Sequence, residues 1–362
     1  AMMLATLLSL LPCQAEAAQQ PASQNVTVPK AKDVVRIMEF NLWQEGTSVA
    51  GGFDKIVDVI LASQADVVAM SEVRNYKQSD LHDRLVAALA KKGEVFHGRF
   101  GGGDVGLISR WPIVKTDIVA DSTSLDRGSI IAFYLRHPTG RELVVCSAHL
   151  DYRNYAVYLP RGYDGNSFKM IDANGDQEPD PVTDLDTIHA MDKASSRDDA
   201  LRAFVAYVKR EKLDRRAVIL AGDFNECSHL DWTEATRDLF SHNGVVIEWQ
   251  NSLLLQKSGF RDSWRELYPN PVTHPGATWP SPAWQRDSTS WAAMVDERDR
   301  IDFIYHNARG LQAQRAWIVG SPHYYVKNEL RAPKTEDAFA LAEIAWPSDH
   351  KGLLVDFLLI KE

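Results

Sequence analysis

The chain has 362 residues, of which 45% are hydrophobic and 25% are charged, and its formal net charge is −9. This length and balance exclude a small domain held together by disulfides or metals, and they are ordinary for a soluble globular enzyme of one large domain or two smaller ones. Proteins that grip a nucleic-acid backbone usually carry a basic surface, because phosphate neutralisation supplies most of the non-specific affinity. The acidic balance therefore disfavours duplex DNA as a partner, although it does not exclude a local basic cleft.

The N-terminal segment has the pattern of an export signal. Residues 2–11 are apolar, and the small-residue stretch 15–18 that follows is typical of a signal-peptide cleavage site. The apolar run is too short to span a bilayer, and no basic residue precedes it. We predict a bacterial-type signal peptide at 1–18, a polar linker at 19–33, a secreted or periplasmic protein, and no transmembrane segment in the mature chain. A disordered apolar tail is the alternative.

Two cysteines, Cys146 and Cys227, follow the predicted signal peptide. Two cysteines cannot form a disulfide framework, and the sequence leaves open whether they pair. We expect two buried free thiols.

Short apolar runs alternate with amphipathic stretches from residue 34 onward. The apolar runs predict strands, and apolar residues at helical spacing predict helices. The predicted strands are 34–40, 67–70, 104–109, 130–136, 142–148, 217–221, 300–306, 316–319 and 353–360, and the predicted helices are 53–63, 81–91 and 197–212. This mixture favours a layered α/β fold in which helices pack outside sheets.

We interpret residues 34–362 as one domain, in which no internal repeat is evident. A polar insertion at about 153–196 and an irregular loop at 279–297, rich in Trp, Ser and Pro, decorate this domain. Loops of this length in a compact domain are usually lids or binding loops.

Polar side chains stand at the ends of several hydrophobic segments. These are Asn41 in MEFN, Glu72 in VVAMSE, His149 in VVCSAHLD, Asp223 and Asn225 in ILAGDFN, and Asp349 and His350 in PSDH, with Asp302 inside the apolar run RIDFIY. Such groups can converge on one pocket, and their mixture suits a phosphate ester with a hard divalent cation such as Mg²⁺, which takes oxygen ligands and keeps several waters. Asp302 is expected to have a buried partner, because an unpaired carboxylate in an apolar strand is costly.

The series N…E…HL…GDFN…RIDFI…SDH, together with the segment DVGLISRWPI, resembles the endonuclease/exonuclease/phosphatase superfamily. That group includes deoxyribonucleases, abasic-site endonucleases, neutral sphingomyelinases, inositol-polyphosphate phosphatases and deadenylases. The resemblance extends from about residue 34 to residue 360. It implies a four-layered α/β sandwich, with two mixed β-sheets packed face to face and flanked by helices, and a metal-dependent phosphoric ester hydrolase.

The resemblance also implies how the metal and the attacking water would be held. Glu72 would be the principal metal ligand, with Asn41 beside it and Asp349 as a further ligand. Asp223 would orient or deprotonate the attacking water, and Asn225 would hold a phosphate oxygen. Mg²⁺ is the expected ion, with Mn²⁺ as the alternative.

Two histidines complete the implied site. His350 would stabilise the transition state, and Asp302 would pair with it to fix its tautomer and keep it protonated, because a neighbouring carboxylate favours the imidazolium. His149 would lie on the opposite side of the phosphate, as an acid or a phosphate ligand. Its acidic partner stays open among three residues of the preceding interval, Glu94, Asp104 and Asp126.

Taken singly, these residues have ordinary structural interpretations. Asn41 could cap a turn, Glu72 could be a surface carboxylate, Asp223 and Asn225 are common types in strand-to-loop turns, and the histidines could be satisfied core residues. Their joint occurrence in the order of the family favours the functional interpretation.

Substrate contacts are expected beside the catalytic motifs. Tyr152 follows HLD at the start of the insertion, and His229 and Trp232 follow GDFN. Local packing is the alternative for all three. For the aromatic residues that follow HLD, core packing is the favoured interpretation, and the same two alternatives apply to Trp279, Trp284 and Trp291.

A second metal site is conceivable in the insertion. Oxygen-bearing side chains occupy every second position, at Asp172, Asn174, Asp176, Glu178 and Asp180. This spacing resembles hand-type and dockerin-type calcium loops. It departs from the hand-type pattern at Gln177, where glycine is needed, and no Glu stands at the twelfth position. A solvated acidic loop is the favoured alternative to a Ca²⁺ site.

The sequence thus predicts an exported, divalent-metal-dependent phosphoesterase. We expect its substrate to be a small-molecule or lipid-derived phosphodiester or phosphomonoester, given the acidic balance and the long insertion. An extracellular endo- or exonuclease on the same scaffold is the first alternative. A non-catalytic binding module is disfavoured, because such a protein should have lost the metal and catalytic residues. The substrate, the native metal and the oligomeric state stay open.

Overall fold

A computed structural model describes residues 33–120 and 125–360 of the chain. The predicted signal peptide at 1–18 and the predicted linker up to residue 32 lie outside the described residues. Within the described ranges, every helix is either too short or too polar to cross a bilayer.

The strands and helices alternate along the chain. The strands are β1 Val34–Asn41, β2 Val67–Ser71, β3 His97–Gly102, β4 Val105–Ser109, β5 Ile113–Ala120, β6 Ser129–Arg136, β7 Glu142–His149, β8 Ala217–Asp223, β9 Phe260–Asp262, β10 Asp302–Asn307, β11 Leu311–Val319, β12 Tyr324–Val326, β13 Glu329–Arg331, β14 Phe339–Ala340 and β15 Gly352–Leu359. The α-helices are α1 Gly52–Ser63, α2 Leu81–Lys91, α3 Leu185–Lys193, α4 Arg197–Arg210, α5 Gln250–Lys257 and α6 Ser263–Leu267, and short 3-10 helices occupy Gln44–Gly46, Tyr76–Gln78, Ala156–Arg161 and Leu213–Arg215.

Two large sheets form the centre of the molecule. One has the strand order β14-β11-β15-β1-β2-β4-β3, and the other has the order β5-β6-β7-β8-β10-β9. Both are mixed, because β1 and β2 run parallel in the first sheet and β7 and β8 run parallel in the second. A separate hairpin joins β12 to β13.

Alternating side chains of β1 explain how the layers assemble. Ile37 belongs to the apolar core between the two sheets, whereas Met38 and Phe40 belong to the core under α1 and α2. On the far side of the other sheet, α4 and α5 cover a third core with residues such as Phe204 and Leu255. Each fully buried side chain of this kind contributes about 1.5–3 kcal/mol. The four layers confirm the predicted α/β sandwich.

Parallel pairing brings the predicted functional groups to one edge. The ends of β1 and β2 lie side by side, with Asn41 opposite Ser71, so Glu72 follows directly at that edge. In the other sheet His149 is the register partner of Asp223, and Asp223 is the register partner of Asp302.

The insertion is polar only in part, which corrects the expectation for 153–196. All six residues of the 3-10 helix Ala156–Arg161 are buried, and α3 lies further along. The aromatic residues of this segment form a separate apolar cluster with Trp232, Trp249 and Trp279. Cys146 and Cys227 are buried and free, as expected.

Candidate active site

A cavity opens at the edge where the strand ends meet. Its floor carries three pairs of titratable groups from separate segments: Glu72 and Asp126, His149 and Asp223, and Asp349 and His350. The space that water-sized groups can occupy in this cavity is about 190 Å³. The structure therefore brings predicted residues that are far apart in the sequence together in one cavity.

Asp223 is at the centre of this floor. The Nδ2 of Asn41 donates to its Oδ2 at 3.0 Å, and the Nε2 atoms of His149 and His350 lie 3.6 and 3.7 Å from the same oxygen. Burial raises the pKa of Asp223 to about 6, although the neighbouring His350 and His149 oppose this shift. A carboxylate with a pKa near the working pH suits a general base.

His149 has an acidic partner, which the sequence left open. Its Nδ1 lies 2.6 Å from the Oδ2 of Asp104, whereas Asp126 lies 3.7 Å away. Because an ionised carboxylate only accepts hydrogen bonds, the Nδ1–H of His149 donates to Asp104. Burial opposes the imidazolium, but Asp104 outweighs it, with help from Asp223, and raises the pKa of His149 to about 10.

His350 is paired with Asp302, as the sequence predicts for a buried carboxylate. The Nδ1 of His350 lies 2.9 Å from Asp302 Oδ2, and Asp302 is fully buried. Although burial opposes the charged form, the carboxylates of Asp302 and Asp223 raise the pKa of His350 well above its usual value. Both histidines therefore face Asp223 as imidazolium ions at neutral pH.

Glu72 and Asp349 form the part of the floor that could hold a cation. Glu72 has a φ of 59°, and its Oε2 accepts a hydrogen bond from the backbone N–H of Gln44 at 2.8 Å. Asp349 is buried, and its Oδ1 has no hydrogen-bond partner in the part of the chain that the structure describes. Burial raises the pKa of Asp349 to about 8, and the charge of Glu72 adds to the shift although His350 opposes it. A divalent cation would satisfy these carboxylates, so the donor set fits the implied metal.

Asn41 differs from its predicted role. The oxygen of its side chain accepts a hydrogen bond from the backbone N–H of Trp43 at 2.9 Å, and its nitrogen donates to Asp223. Both ends of the amide are thus engaged. The structure therefore gives Asn41 the task of orienting Asp223, and its assignment as a metal ligand beside Glu72 stays a prediction.

Asn225 lines the cavity directly after the Asp223 strand. Its backbone N–H donates to Asp223 Oδ1 at 2.9 Å, and its Nδ2 donates to the carbonyl of Leu150 at 3.0 Å. Its φ of 49° lies in the left-handed region, which asparagine tolerates better than most residues. These contacts hold Asn225 at the wall of the cavity. Its contact with a phosphate oxygen stays a prediction.

The predicted substrate contacts divide into one that borders the cavity and two that do not. Tyr152 lines the cavity and is 38% exposed. His229 lies elsewhere, with its ring nitrogens hydrogen-bonded to Ser252 and Gln256 at 2.8 and 2.6 Å. Trp232 is buried and stacks on His242. Local packing therefore replaces substrate contact for His229 and Trp232.

The acidic loop of the insertion is tied to its own backbone. Asp180 accepts hydrogen bonds from the backbone N–H groups of Ala173 and Asn174, and Asp172 accepts one from Asp176. The remaining candidate, Glu178, contributes its backbone N–H to Asp176. Among the described residues, groups of three convergent ligand atoms occur elsewhere. These contacts and the exposure of the loop agree with the solvated acidic loop that the sequence favours, and the Ca²⁺ site stays the untested alternative.

The sequence analysis missed Arg74, and it left the roles of Asp104 and Asp126 open. Arg74 contacts Glu72, Asp104 and Asp126 at 3.5, 3.0 and 2.5 Å, so one guanidinium links the metal side to the His149 side. The ligand atoms of Glu72, Asp126 and His149 lie within 4.8 Å of one another. An arginine two residues after the glutamate is the only sequence signal for this link.

Many of the other residues that line the cavity are aromatic. Their rings come from the insertion, from the loop before β10 and from the loop after β1, namely Trp43, Tyr152, Tyr155, Tyr158, Phe168, Trp279 and Trp291. Of the tryptophans whose role the sequence left open, Trp279 and Trp291 thus border the cavity.

Comparison with known proteins places this arrangement in context. Residues 38–350 match the model of the Endonuclease/Exonuclease/phosphatase family. The uncharacterized protein F14F9.5 of Caenorhabditis elegans is 27% identical over 335 residues, which is 90% of this chain and 92% of that protein.

Solved structures give the same result for the fold. An endonuclease/exonuclease/phosphatase from Beutenbergia cavernae DSM 12333 matches with a TM-score of 0.52 and 19% identity, over 90% of this chain and 72% of that one. TDP2 of D. rerio, complexed with a single strand DNA product, matches with a TM-score of 0.50 and 16% identity over 90% and 98%. The human Nocturnin catalytic domain with a bound sulfate anion matches with a TM-score of 0.50 and 16% identity over 91% and 95%.

Proposed function

Because the chain belongs to the endonuclease/exonuclease/phosphatase family, whose members are metal-dependent phosphoric ester hydrolases, we propose that it hydrolyses a small-molecule or lipid-derived phosphate ester by one in-line attack of water. The observation that carries this proposal is the convergence of two carboxylate–histidine pairs, His149–Asp104 and His350–Asp302, on the buried carboxylate of Asp223. The two imidazolium groups can donate hydrogen bonds to a phosphate, and the carboxylate of Asp223 can accept a proton from a water molecule beside it.

Glu72 and Asp349 would hold the metal, for which we propose Mg²⁺, with Mn²⁺ as a substitute. The unpartnered buried oxygen of Asp349 supports this assignment, since a buried carboxylate without a donor or a cation is strongly disfavoured. When bound, the ion neutralises charge on the phosphate and polarises its P–O bonds. Arg74, which contacts Glu72, would keep that carboxylate in place.

The protein's own residues then account for the proton transfers. Asp223, oriented by Asn41, takes a proton from the attacking water as the water oxygen bonds to phosphorus. The imidazolium of His350 stabilises the negative charge that develops on the phosphoryl oxygens, and Asn225 holds one of them. The P–O bond to the leaving group breaks, and the imidazolium of His149 supplies the proton that the departing oxygen needs. A phosphodiester thus gives a phosphomonoester and an alcohol, and a monoester gives phosphate and an alcohol.

An extracellular nuclease on the same scaffold is the second candidate. It is supported by the likeness to D. rerio TDP2, whose structure contains a single strand DNA product. Against it, the one Arg or Lys among the described residues that line the cavity is Arg74, and its guanidinium is held by three carboxylates. A nucleic-acid backbone would need free cations along its path.

We also propose that the protein is exported, on the basis of the apolar run and small-residue stretch in residues 1–18. Expression of the full chain with a C-terminal tag, cell fractionation and N-terminal sequencing test this. A mature N-terminus near residue 19 in the periplasm or medium is the expected result. An intact chain in the cytoplasm would contradict export without affecting the proposed chemistry.

Activity is tested on a panel of esters after EDTA treatment and return of Mg²⁺, Mn²⁺ or Ca²⁺. The panel holds bis-p-nitrophenyl phosphate, p-nitrophenyl phosphate, sphingomyelin, sugar phosphates and plasmid DNA. We expect metal-restored hydrolysis of a small or lipid-derived ester, lost in Asp223→Ala and His350→Ala and retained in Asp186→Ala, which removes an exposed carboxylate of α3. Turnover of plasmid DNA alone would favour the nuclease. A Glu72→Ala variant with unchanged turnover would contradict the proposed metal site.

A further inference from the structure

The aromatic residues that line the cavity have no task in the proton transfers described above. We define the aromatic cage as Tyr152, Phe168, Trp279 and Trp291, all of which line the cavity. The ring centroids of Phe168 and Trp291 are 4.9 Å apart with the planes at 73°, and those of Trp279 and Trp291 are 5.6 Å apart at 86°. Rings at nearly right angles enclose a corner, and Tyr152, whose plane lies at 26° to that of Phe168, extends the Phe168 wall of this corner.

The cage adjoins the proposed phosphate position. The ring centroid of Trp279 lies 5.0 Å from that of His350, which faces the phosphoryl oxygens in the proposed function. A group joined to the phosphate by a short linker would therefore reach the cage while the phosphate stays at the catalytic floor. The inference rests on the proposed function for this reason.

The rings behind the cage turn their polar groups away from it. Tyr155 and Tyr158 donate their hydroxyl hydrogens to Asp299 and Glu297, at 2.8 and 2.6 Å. Neither acceptor lines the cavity. A nucleobase in the cage would therefore find no partner for its edge in these two hydroxyl groups, and a polar edge without partners is unfavourable. A quaternary ammonium group has no N–H to satisfy and needs only aromatic faces.

No Lys or Arg beside the cage opposes a cation. The carboxylates of the cavity are matched on its floor by Arg74 and by the imidazolium ions of His149 and His350, and Arg74, which contacts three carboxylates, is the one Lys or Arg among the described lining residues. Trp43 is not counted in the cage, because the guanidinium of Arg286 lies 5.6 Å from its ring centroid. No Arg or Lys lies over the other rings among the described contacts, and the one charged ring beside them is the His350 imidazolium next to Trp279, which faces the proposed phosphate position.

Phe168 is held in the cage at the expense of backbone strain. Its φ is 57°, in the left-handed region that a bulky residue rarely adopts. Its ring contacts those of Tyr152, Tyr158 and Trp291, with centroids 6.3, 6.0 and 4.9 Å away. Strain of this kind persists where surrounding contacts over-determine a conformation, and it concentrates at functional sites.

We propose that the aromatic cage binds a quaternary ammonium group of the substrate, which is then a phosphodiester with a choline-like head group. The cation packs against the faces of Trp279, Trp291 and Phe168 while water adds across one P–O bond at the floor. The products are an alcohol and a phosphomonoester. The proposed general base and acid act as described, so the cage adds selectivity and no new chemical step.

Four p-nitrophenyl diesters that differ in one substituent test the proposal. The substituents are choline, its uncharged isostere neohexyl alcohol, thymidine and methanol. We expect kcat/KM for the choline ester to exceed that for the neohexyl ester by about 3- to 30-fold, the range of cation–π attraction in a partly desolvated site. Trp291→Ala should abolish this ratio and Trp291→Phe should keep part of it. Trp284→Ala is the matched control, because that exposed tryptophan does not line the cavity.

The outcomes separate this inference from the proposed function. Equal kcat/KM for the choline and neohexyl esters, with metal-dependent turnover of both, would overturn the cation site and leave the hydrolase intact. A preference for the thymidine ester that Trp291→Ala removes would reassign the cage to a nucleobase. Failure of all four esters, including the methyl ester that makes no demand on the cage, would count against the proposed function itself.

Discussion

The Nδ1 of His149 lies 2.6 Å from the Oδ2 of Asp104, and this contact joins the two sheets. His149 ends β7 of one sheet, whereas Asp104 directly precedes β4 of the other. The same carboxylate also accepts a hydrogen bond from Arg74 at 3.0 Å. A catalytic histidine is therefore held by a residue from the opposite layer, and its protonation depends on how the layers pack.

Replacing Asp104 should change how activity depends on pH. Because Asp104 raises the pKa of His149 to about 10 against the effect of burial, Asp104→Asn should lower that pKa and move the alkaline limb of kcat/KM to lower pH. At pH 8 the loss should be about 100-fold, the lower end of general-acid effects. Recovery of much of this loss at pH 6 would mark an electrostatic cause. A uniform loss at every pH, with lowered stability, would point to a packing role.

Removing the side chain of Asn41 should affect the general base and spare the metal. Asn41 donates to the ionised form of Asp223, whose pKa is about 6. The variant Asn41→Ala lacks this hydrogen bond, so the pKa of Asp223 should rise. The acidic limb of the pH profile of kcat/KM should then move to higher pH by about one unit. The Mg²⁺ affinity of Asn41→Ala, measured by calorimetry, should stay unchanged, whereas that of Glu72→Gln should fall. A parallel fall in Mg²⁺ affinity would show that Asn41 is also a metal ligand, as the sequence predicts.

Metal binding should stabilise the fold through Glu72 and Asp349. An ion that binds only the folded chain stabilises it by about 2.7 kcal/mol at 100 times its Kd. Urea unfolding with and without Mg²⁺ should show this gain, and Asp349→Asn should reduce it by weakening affinity. Asp186→Asn, which removes an exposed carboxylate of α3, should leave the stabilisation by Mg²⁺ unaltered. An Asp349→Asn protein with full Mg²⁺ stabilisation would exclude Asp349 from the site.

Glu39 should make stability depend on pH. It is fully buried, neither carboxylate oxygen has a hydrogen-bond partner among the described residues, and burial, reinforced by Asp302 and Asp223, raises its pKa well above the usual value. A group with a raised folded pKa contributes stability that is fully present below the unfolded pKa, which for Glu is about 4.3, and that is lost as pH rises through the folded pKa.

The substitution Glu39→Met should therefore make the free energy of unfolding less dependent on pH. We expect a gain of about 2 kcal/mol at pH 8 and little difference at pH 4, measured by urea unfolding at both values. An equal shift at both pH values would assign the effect to packing. Destabilisation that grows with pH would show that ionised Glu39 has a partner.

The insertion should depend on one buried ion pair. Arg161 is fully buried and donates to both carboxylate oxygens of Asp299, at 2.6 and 2.9 Å. Arg161→Met leaves the Asp299 charge unpaired and should cost about 3–5 kcal/mol in urea unfolding. Adding Asp299→Leu should recover much of this loss. Failure of the double variant to recover would mean that the Tyr155 hydroxyl, which also donates to Asp299, is what the site needs.

The strand-end motifs could be located from the sequence because they follow the local physics of buried strands. Asn41, Glu72, His149 and Asp223 each end or follow a mainly apolar strand, and β1, β2, β7 and β8 begin and end within two residues of the predicted bounds. The cost of a buried carboxylate predicted a buried partner for Asp302, and the family resemblance implied that this partner is His350. By contrast, β5 was missed, because this edge strand carries the polar residues Lys115, Thr116 and Asp117 among its apolar ones.

Other features depend on packing between distant segments and leave no local pattern. The choice of Asp104 over Glu94 and Asp126 as the partner of His149 requires the two sheets to be superimposed. Glu39 stands between Met38 and Phe40 in β1, and nothing nearby in the sequence says that it faces the inner core. The burial of Ala156–Arg161 likewise depends on Trp232 and Trp249, which come much later in the chain.

The register pairs His149–Asp223 and Asp223–Asp302 have a consequence for how the protein loses function. These three residues stand in one row across β7, β8 and β10, so their spacing is fixed by the backbone ladder that also holds the sheet. A slip of one residue in any of the three strands would turn its functional group to the opposite face. Activity should therefore vanish together with the sheet itself during denaturation, and a partly melted chain that still turns over substrate should not accumulate.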